Sequence, residues 1–277
     1  MVGALIIVFR EVLEAGLIIG IVLAATRQVA GSRSWIYGAI AAGVVGSIIV
    51  AAFTGAITAA FEGYGQELFN AAILCLAVGM LIWHNVWMSR HGRTLAGELK
   101  ASGQDVAAGR KSFWALFAIV ALAVLREGSE VVLFLYGVAV SGHATAANLL
   151  AGSGLGLLTG AIVSLLTFGG LVHIPMRHFF AVTNWLITLL AAGMAAQAVS
   201  FLEKAGVATI LSQTMWDSSW LLDEDGLLGR ILHTLVGYTA QPSALQLVAY
   251  VAVVLVVVLA TRGGENTAPP ARKLKQA

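Results

Sequence analysis

Charge is what this 277-residue chain has least of. Lys, Arg, Asp and Glu make up 11% of it, while 59% is hydrophobic and the mean hydropathy is +0.89. A soluble domain carries about 25% charged residues, so a water-soluble globular fold is excluded, and a nucleic-acid-binding surface with it. The apolar runs do not alternate with polar residues, which excludes a β-barrel and leaves membrane-spanning helices. A single cysteine, Cys75, rules out an intrachain disulfide. The first apolar run has no basic segment ahead of it, unlike a removable leader, so the first helix is expected to stay as a span. Haem-type and copper-type motifs are lacking, so no permanently bound cofactor is expected.

What is present is a series of long apolar runs. A spanning helix needs about 20 such residues, and seven runs qualify: 2–25, 35–60, 66–88, 113–140, 148–172, 179–202 and 244–261. The expected fold is therefore an all-α integral membrane protein with one membrane domain, 1–261, followed by a disordered tail, 262–277. Segment 89–112 reads as a polar, basic loop, and 203–243 as a long connection. The loops on one side of such a bundle (26–34, 89–112, 173–178 and 261–277) hold 12 Lys or Arg, and the opposite loops hold 2. That bias puts the basic loops and the C-terminus in the cytoplasm and the N-terminus outside the cytoplasmic (inner) membrane.

The scarce charge is not evenly spread. Six of the 30 charged residues stand in Arg10-Glu11-Val12-Leu13-Glu14 and Arg126-Glu127-Gly128-Ser129-Glu130, inside the first and fourth apolar runs. A charged side chain near a bilayer centre costs about 2.5–3.5 kcal/mol on insertion scales. With seven spans, these two runs cross the membrane in opposite directions. Repeat one (1–88) and repeat two (113–202) then form a 3+3 inverted repeat, and the seventh helix is an addition.

On a helix, residues i, i+1 and i+4 lie within about 100° of one another. Arg and the second Glu are spaced for an ion pair, and the two Glu can converge on one object. Each motif has one more carboxylate than guanidinium. Facing each other, Glu11, Glu14, Glu127 and Glu130 leave a surplus of −2 that wants a hard cation, with Arg10 and Arg126 organising the carboxylates. The bland alternative is a pair of buried salt bridges locking helices together. A plain apolar interface would do that at lower cost, and duplication of the pattern favours a site.

These residues resemble the oxidase-dependent iron transporter family, which includes fungal high-affinity iron permeases and bacterial iron-uptake permeases. The likeness extends to Gln66-Glu67-Leu68-Phe69, Trp83, Trp87-Met88, and Gly237-Tyr238 before Pro242, and covers all but the tail. It implies inward movement of Fe2+ or Fe3+ across the cytoplasmic membrane, with Glu11, Glu14, Glu127 and Glu130 as iron ligands. It also implies an extracytoplasmic oxidase or peroxidase partner. Two positions depart from the family pattern: Val12 replaces a usual Gly, and Asn70 stands where bacterial relatives often have an acid.

Other residues invite weaker readings. Glu62, Glu67, Asp217, Asp223, Glu224 and Asp225 form an outer acidic set that would concentrate cations; solvated loop acids are the plainer account. Trp216 and Trp220, with the leucines after them, suggest an interfacial or re-entrant helix. Met80, His84 and Met88 share a helical stripe, read as core packing and an interfacial His rather than a soft-metal path. His173 and His178 flank the Pro175 turn and read as loop residues, Gly16–Gly20 and Gly156–Gly160 as ordinary packing, and Cys75 as a small core residue. Two rival functions stand beside iron transport. One is transport of another divalent metal such as lead or manganese. The other is an intramembrane lipid-diphosphate phosphatase, which Glu127-Gly128-Ser129-Glu130 superficially fits, though no Ser/Arg-rich phosphate-binding motif accompanies it.

Overall fold

A chain in lipid must satisfy its backbone polar groups internally, and this one does so with helices. The computed structural model describes residues 1–60, 65–140, 145–169, 176–223 and 226–265. Among them are α1 (Val2–Ala25), α2 (Ser32–Ala60), α3 (Gln66–Ala107), α4 (Phe113–Val140), α5 (Ala146–Phe168), α6 (Met176–Lys204), α7 (Leu227–Val236) and α8 (Ala244–Glu265). Five hold stretches long and apolar enough to cross a membrane: Ser32–Ala56, Gln66–Met88, Ala146–Phe168, Val182–Lys204 and Ala244–Thr261. At 24 and 28 residues α1 and α4 have the length, but each carries the three charges of a motif.

The bundle puts α1 and α4 at its centre. The broadest interfaces are α1 with α5, α2 with α4, and α3 with α6, and α1 and α4 also pack on each other. α2, α5 and α8 lie outermost. Val44, Val45, Ile48, Ile49 and Phe53 on α2, and Leu157, Leu158, Ile162 and Leu165 on α5, are exposed. Apolar surface this continuous belongs against lipid.

Two dry cores flank the charged residues. One joins Ile7, Leu74, Ala77, Leu81, Phe134, Val138, Ile187 and Met194; the other joins Val22, Ile36, Ala39, Val106, Leu116, Val120 and Val124. Following α1, the chain meets Ile7 of the first core, then Arg10–Glu14, then Val22 of the second. Following α4, it meets Val124 of the second core, then Arg126–Glu130, then Phe134 of the first. The two motif helices therefore pass the same layers in opposite order.

α5 approaches α1 through glycine. A Cβ on Gly156 would lie 2.6 Å from the Leu5 carbonyl oxygen, and one on Gly160 would lie 3.0 Å from Val12 Cβ. On the other side of the bundle Gly128 faces Ser47 of α2. The large Val12 thus meets a glycine, and the glycine at the equivalent place of the second motif meets a larger partner.

Several boundaries differ from those expected. Segment 89–107 is not a loop: α3 continues through it for 42 residues in all, about 63 Å at 1.5 Å per residue. That exceeds the ~30 Å hydrocarbon thickness, and Leu99 and Val106 bury the apolar side of the extension. Trp216 and Trp220 lie in irregular chain; among the described residues of that connection only α7 and the last two residues of α6, Glu203 and Lys204, are helical. Cys75 is exposed on the outer face of α3 instead of lying in the core. The expected Pro175 turn with His173 and the tail from 266 lie outside the described residues, as does the side chain of His178.

Candidate metal centre

α1 and α4 bring the two motifs face to face, and both use them alike. Arg10 Nε lies 2.9 Å from Glu14 Oε1, and Arg126 Nε lies 3.0 Å from Glu130 Oε1, each an i,i+4 pair. Each Arg also reaches the adjacent acid, Arg10 at 3.2 Å from Glu11 and Arg126 at 3.9 Å from Glu127. The helical spacing forecast this pairing. Arg10, Glu11, Glu14, Glu127 and Glu130 are all at most 4% exposed.

The motifs are not equivalent in their surroundings. Arg10 is sealed in, whereas the Arg126 side chain is 31% exposed. Its guanidinium lies over Trp87 at 4.6 Å and Trp83 at 5.6 Å from the ring centroids, an arrangement that attracts cations to aromatic faces.

A third helix completes the group. His84 of α3 is 1% exposed, with Nε2 3.3 Å from Glu14 Oε2 and Nδ1 2.5 Å from Glu130 Oε2. Arg126 Nη2 lies 3.4 Å from the same Nδ1. The expected role of His84 in packing or at an interface is therefore corrected. Met80, by contrast, packs on the first apolar core as expected. Asn85 next to His84 is buried as well, donating to Thr188 Oγ1 at 3.2 Å.

One donor atom each from Glu11, His84, Glu127 and Glu130 falls within 4.8 Å of all the others. The Oε2 atoms of Glu14 and Glu130 face His84. The Oε2 atoms of all four acids, Glu11, Glu14, Glu127 and Glu130, are buried with no hydrogen-bond partner among the described residues. A buried carboxylate oxygen left unpaired is costly. A purely structural ion-pair lock would satisfy such oxygens; a cation site leaves them aimed at an ion.

Among the described residues, the acids expected on the outer side form no comparable group. Glu67 is exposed in the first turn of α3. Asp217 is exposed and already engaged. It accepts from Ser219 N at 2.9 Å, from Ser219 Oγ and from Gln241 Nε2 at 2.9 Å, which holds its carboxyl below the usual range. Asp223 is exposed, and Glu62, Glu224 and Asp225 lie outside the described residues. Glu203 Oε1 accepts from Ser243 Oγ at 2.7 Å, tying the end of α6 to the start of α8.

Residues 1–264 match the model of the iron permease FTR1 family. The ferrous iron permease EfeU of Yersinia pestis is 30% identical over 250 residues, covering 88% of this chain and 87% of that one. EfeU of Escherichia coli O157:H7 is 30% identical over 248 residues, covering 86% and 87%. No solved structure matches the chain. The family and these relatives are permeases, which sets aside the lipid-diphosphate phosphatase reading. With the match running over both motifs and every helix between them, the chain belongs to the iron permease FTR1 family.

Proposed function

We propose that this protein carries Fe2+ inward across the cytoplasmic membrane through the site between its two R-E-x-x-E motifs. The observation that carries this reading is the buried 4.8 Å group of donor atoms from Glu11, His84, Glu127 and Glu130, in which the Oε2 of each acid has no hydrogen-bond partner among the described residues. Both relatives are ferrous iron permeases, which favours the ferrous ion. Glu11, Glu127 and Glu130 present hard oxygen ligands; Arg10 and Arg126 hold the acids in place between visits of the ion. The apolar cores on either side occlude the site, which suits a carrier that opens one core at a time.

The same proposal includes the membrane arrangement. α1 to α6 and α8 are seven spans, and the two sets of three are inverted repeats. The exchange of partners, α1 on α5 and α4 on α2, supports this, as does the reversed order of layers along α1 and α4. The basic-loop bias sets the N-terminus outside and the C-terminus in the cytoplasm. Glu62, Glu67, Asp217, Asp223, Glu224 and Asp225 then lie on the outer side, where an oxidase or peroxidase partner would deliver the ion.

Uptake of radiolabelled Fe2+ into proteoliposomes tests the function. Glu11→Gln and Glu127→Gln keep the side-chain shape and remove the charge; each is expected to lower uptake at least tenfold. Undiminished uptake in both would overturn the assigned site.

A further inference from the structure

Resting on the reading of Glu11, Glu127 and Glu130 as ligands, we infer that His84 binds the same ion through a ring nitrogen, and that Glu14 holds the ring rather than the ion. The ligand set is then three carboxylates and one imidazole, contributed by α1, α3 and α4. It is not the four-carboxylate set that the symmetry of the motifs suggests.

Three observations carry this. The 4.8 Å group contains His84 and does not include Glu14. His84 is 1% exposed among the buried motif acids, and it comes from a helix that carries neither motif. Nε2 lies beside a carboxylate, 3.3 Å from Glu14 Oε2 without hydrogen-bond alignment, while Glu14 Oε1 lies 2.9 Å from Arg10 Nε. A metal-bound imidazole almost always gives its other N–H to such a carboxylate, which fixes the ring and raises its strength as a ligand. Nδ1 lies on the Glu130 side, with Glu130 Oε2 at 2.5 Å and Arg126 Nη2 at 3.4 Å.

The consequence is selectivity. An all-oxygen site suits Mg2+, Ca2+ and Mn2+, whereas imidazole suits iron and the later first-row metals. His84 thus biases an otherwise hard site toward Fe2+ against the more abundant hard divalent ions. Glu14 contributes through the ring it orients.

Mn2+ serves as the probe, bound to purified full-length protein labelled with 15N on histidine alone and read by pulsed electron paramagnetic resonance. The expected result is a 15N imidazole coupling that disappears in His84→Gln while Mn2+ stays bound. The coupling should persist in Glu14→Gln, with affinity about tenfold weaker. In the uptake assay, less Mg2+ or Mn2+ is then needed to halve Fe2+ uptake by His84→Gln than by the wild type. The labelled wild type gives the coupling even if a variant fails to fold. Mn2+ that binds in a Glu127-dependent way without imidazole coupling would overturn the role of His84 and leave the carboxylate site standing. Absence of any Glu127-dependent binding, with uptake undisturbed in Glu127→Gln, would overturn both.

Discussion

Glu14 and Glu130, the last acids of the two motifs, are joined across one imidazole. His84 meets Glu14 at 3.3 Å through Nε2 and Glu130 at 2.5 Å through Nδ1. Each of those acids is also anchored at its other oxygen by its own Arg, at 2.9 and 3.0 Å. The chain Arg10–Glu14–His84–Glu130–Arg126 therefore ties α1, α3 and α4 together through the buried layer. A displacement of α3 reaches both motifs at once.

The two arginines are predicted to differ in weight. Removing one partner of a buried ion pair costs about 3–5 kcal/mol, because the other charge is left in low dielectric. Arg10 is sealed between Glu11 and Glu14, so Arg10→Met is expected to fall in that range. Arg126 has a side chain 31% exposed and two indole faces beside it. Its loss is expected to cost about 1–2 kcal/mol. Thermal unfolding in detergent checks the order: Arg126→Met should melt above Arg10→Met, and the reverse order would contradict the burial of the first motif.

Glycine substitutions on α5 are predicted to rank by what their Cβ would meet. Gly156 faces the Leu5 carbonyl oxygen at 2.6 Å, and backbone cannot give way. Gly160 faces Val12 and the Phe9 carbonyl oxygen at 3.0 Å, and Gly154 faces open space. Gly156→Ala is expected to cost about 1–3 kcal/mol by overpacking, Gly160→Ala less, and Gly154→Ala nothing. Unfolding temperatures of the three variants measure the ranking. Equal effects at 154 and 156 would mean that α5 does not rest on α1.

Much of this was legible in the chain. α1 and α4 occupy the residues expected: Thr26-Arg27 closes the first apolar run, and Lys111-Ser112 and Ser141 bound the fourth on both sides. The ion pairs follow from i,i+4 spacing alone. Two features were not legible, each for its own reason. His84 sits in an apolar run beside Asn85, but helical periodicity does not tell which neighbour a buried face meets; that depends on how α3 packs against α1 and α4. The α3 extension was read as a loop because its charges hide a sparse apolar side. Leu99 and Val106, seven apart, were the available signal. Cys75 was assigned to the core on residue type, whereas in lipid an exposed position is apolar too.

Exposure of Cys75 gives a direct test of the membrane face. The thiol lies mid-helix on α3, a helix that qualifies as a span, and faces outward. In intact vesicles it is expected to react with a lipid-soluble maleimide and not with a charged, impermeant one. Labelling of a wild-type sample suffices, since no other cysteine is present. Rapid reaction with the impermeant reagent would place this face in water and not in lipid.

The outer connection is predicted to depend on Gly237 and Tyr238. Gly237 closes α7 with φ +70, and its Cα is packed against Gly193 of α6. Tyr238 Oη lies 2.8 Å from Ser218 Oγ and 3.1 Å from the Leu222 carbonyl oxygen, which fastens the irregular chain around Trp216 and Trp220 to the bundle. Ala at 237 meets both a left-handed backbone and the α6 backbone, at roughly 2–4 kcal/mol. Tyr238→Phe removes only the hydroxyl, about 1 kcal/mol. Limited proteolysis within 203–243 reads the result: Gly237→Ala should be cut much faster than wild type, Tyr238→Phe slightly faster. Both should keep Glu11-dependent Fe2+ binding, because neither residue touches the buried layer. Loss of binding in Tyr238→Phe would instead couple the connection 203–243 to the site.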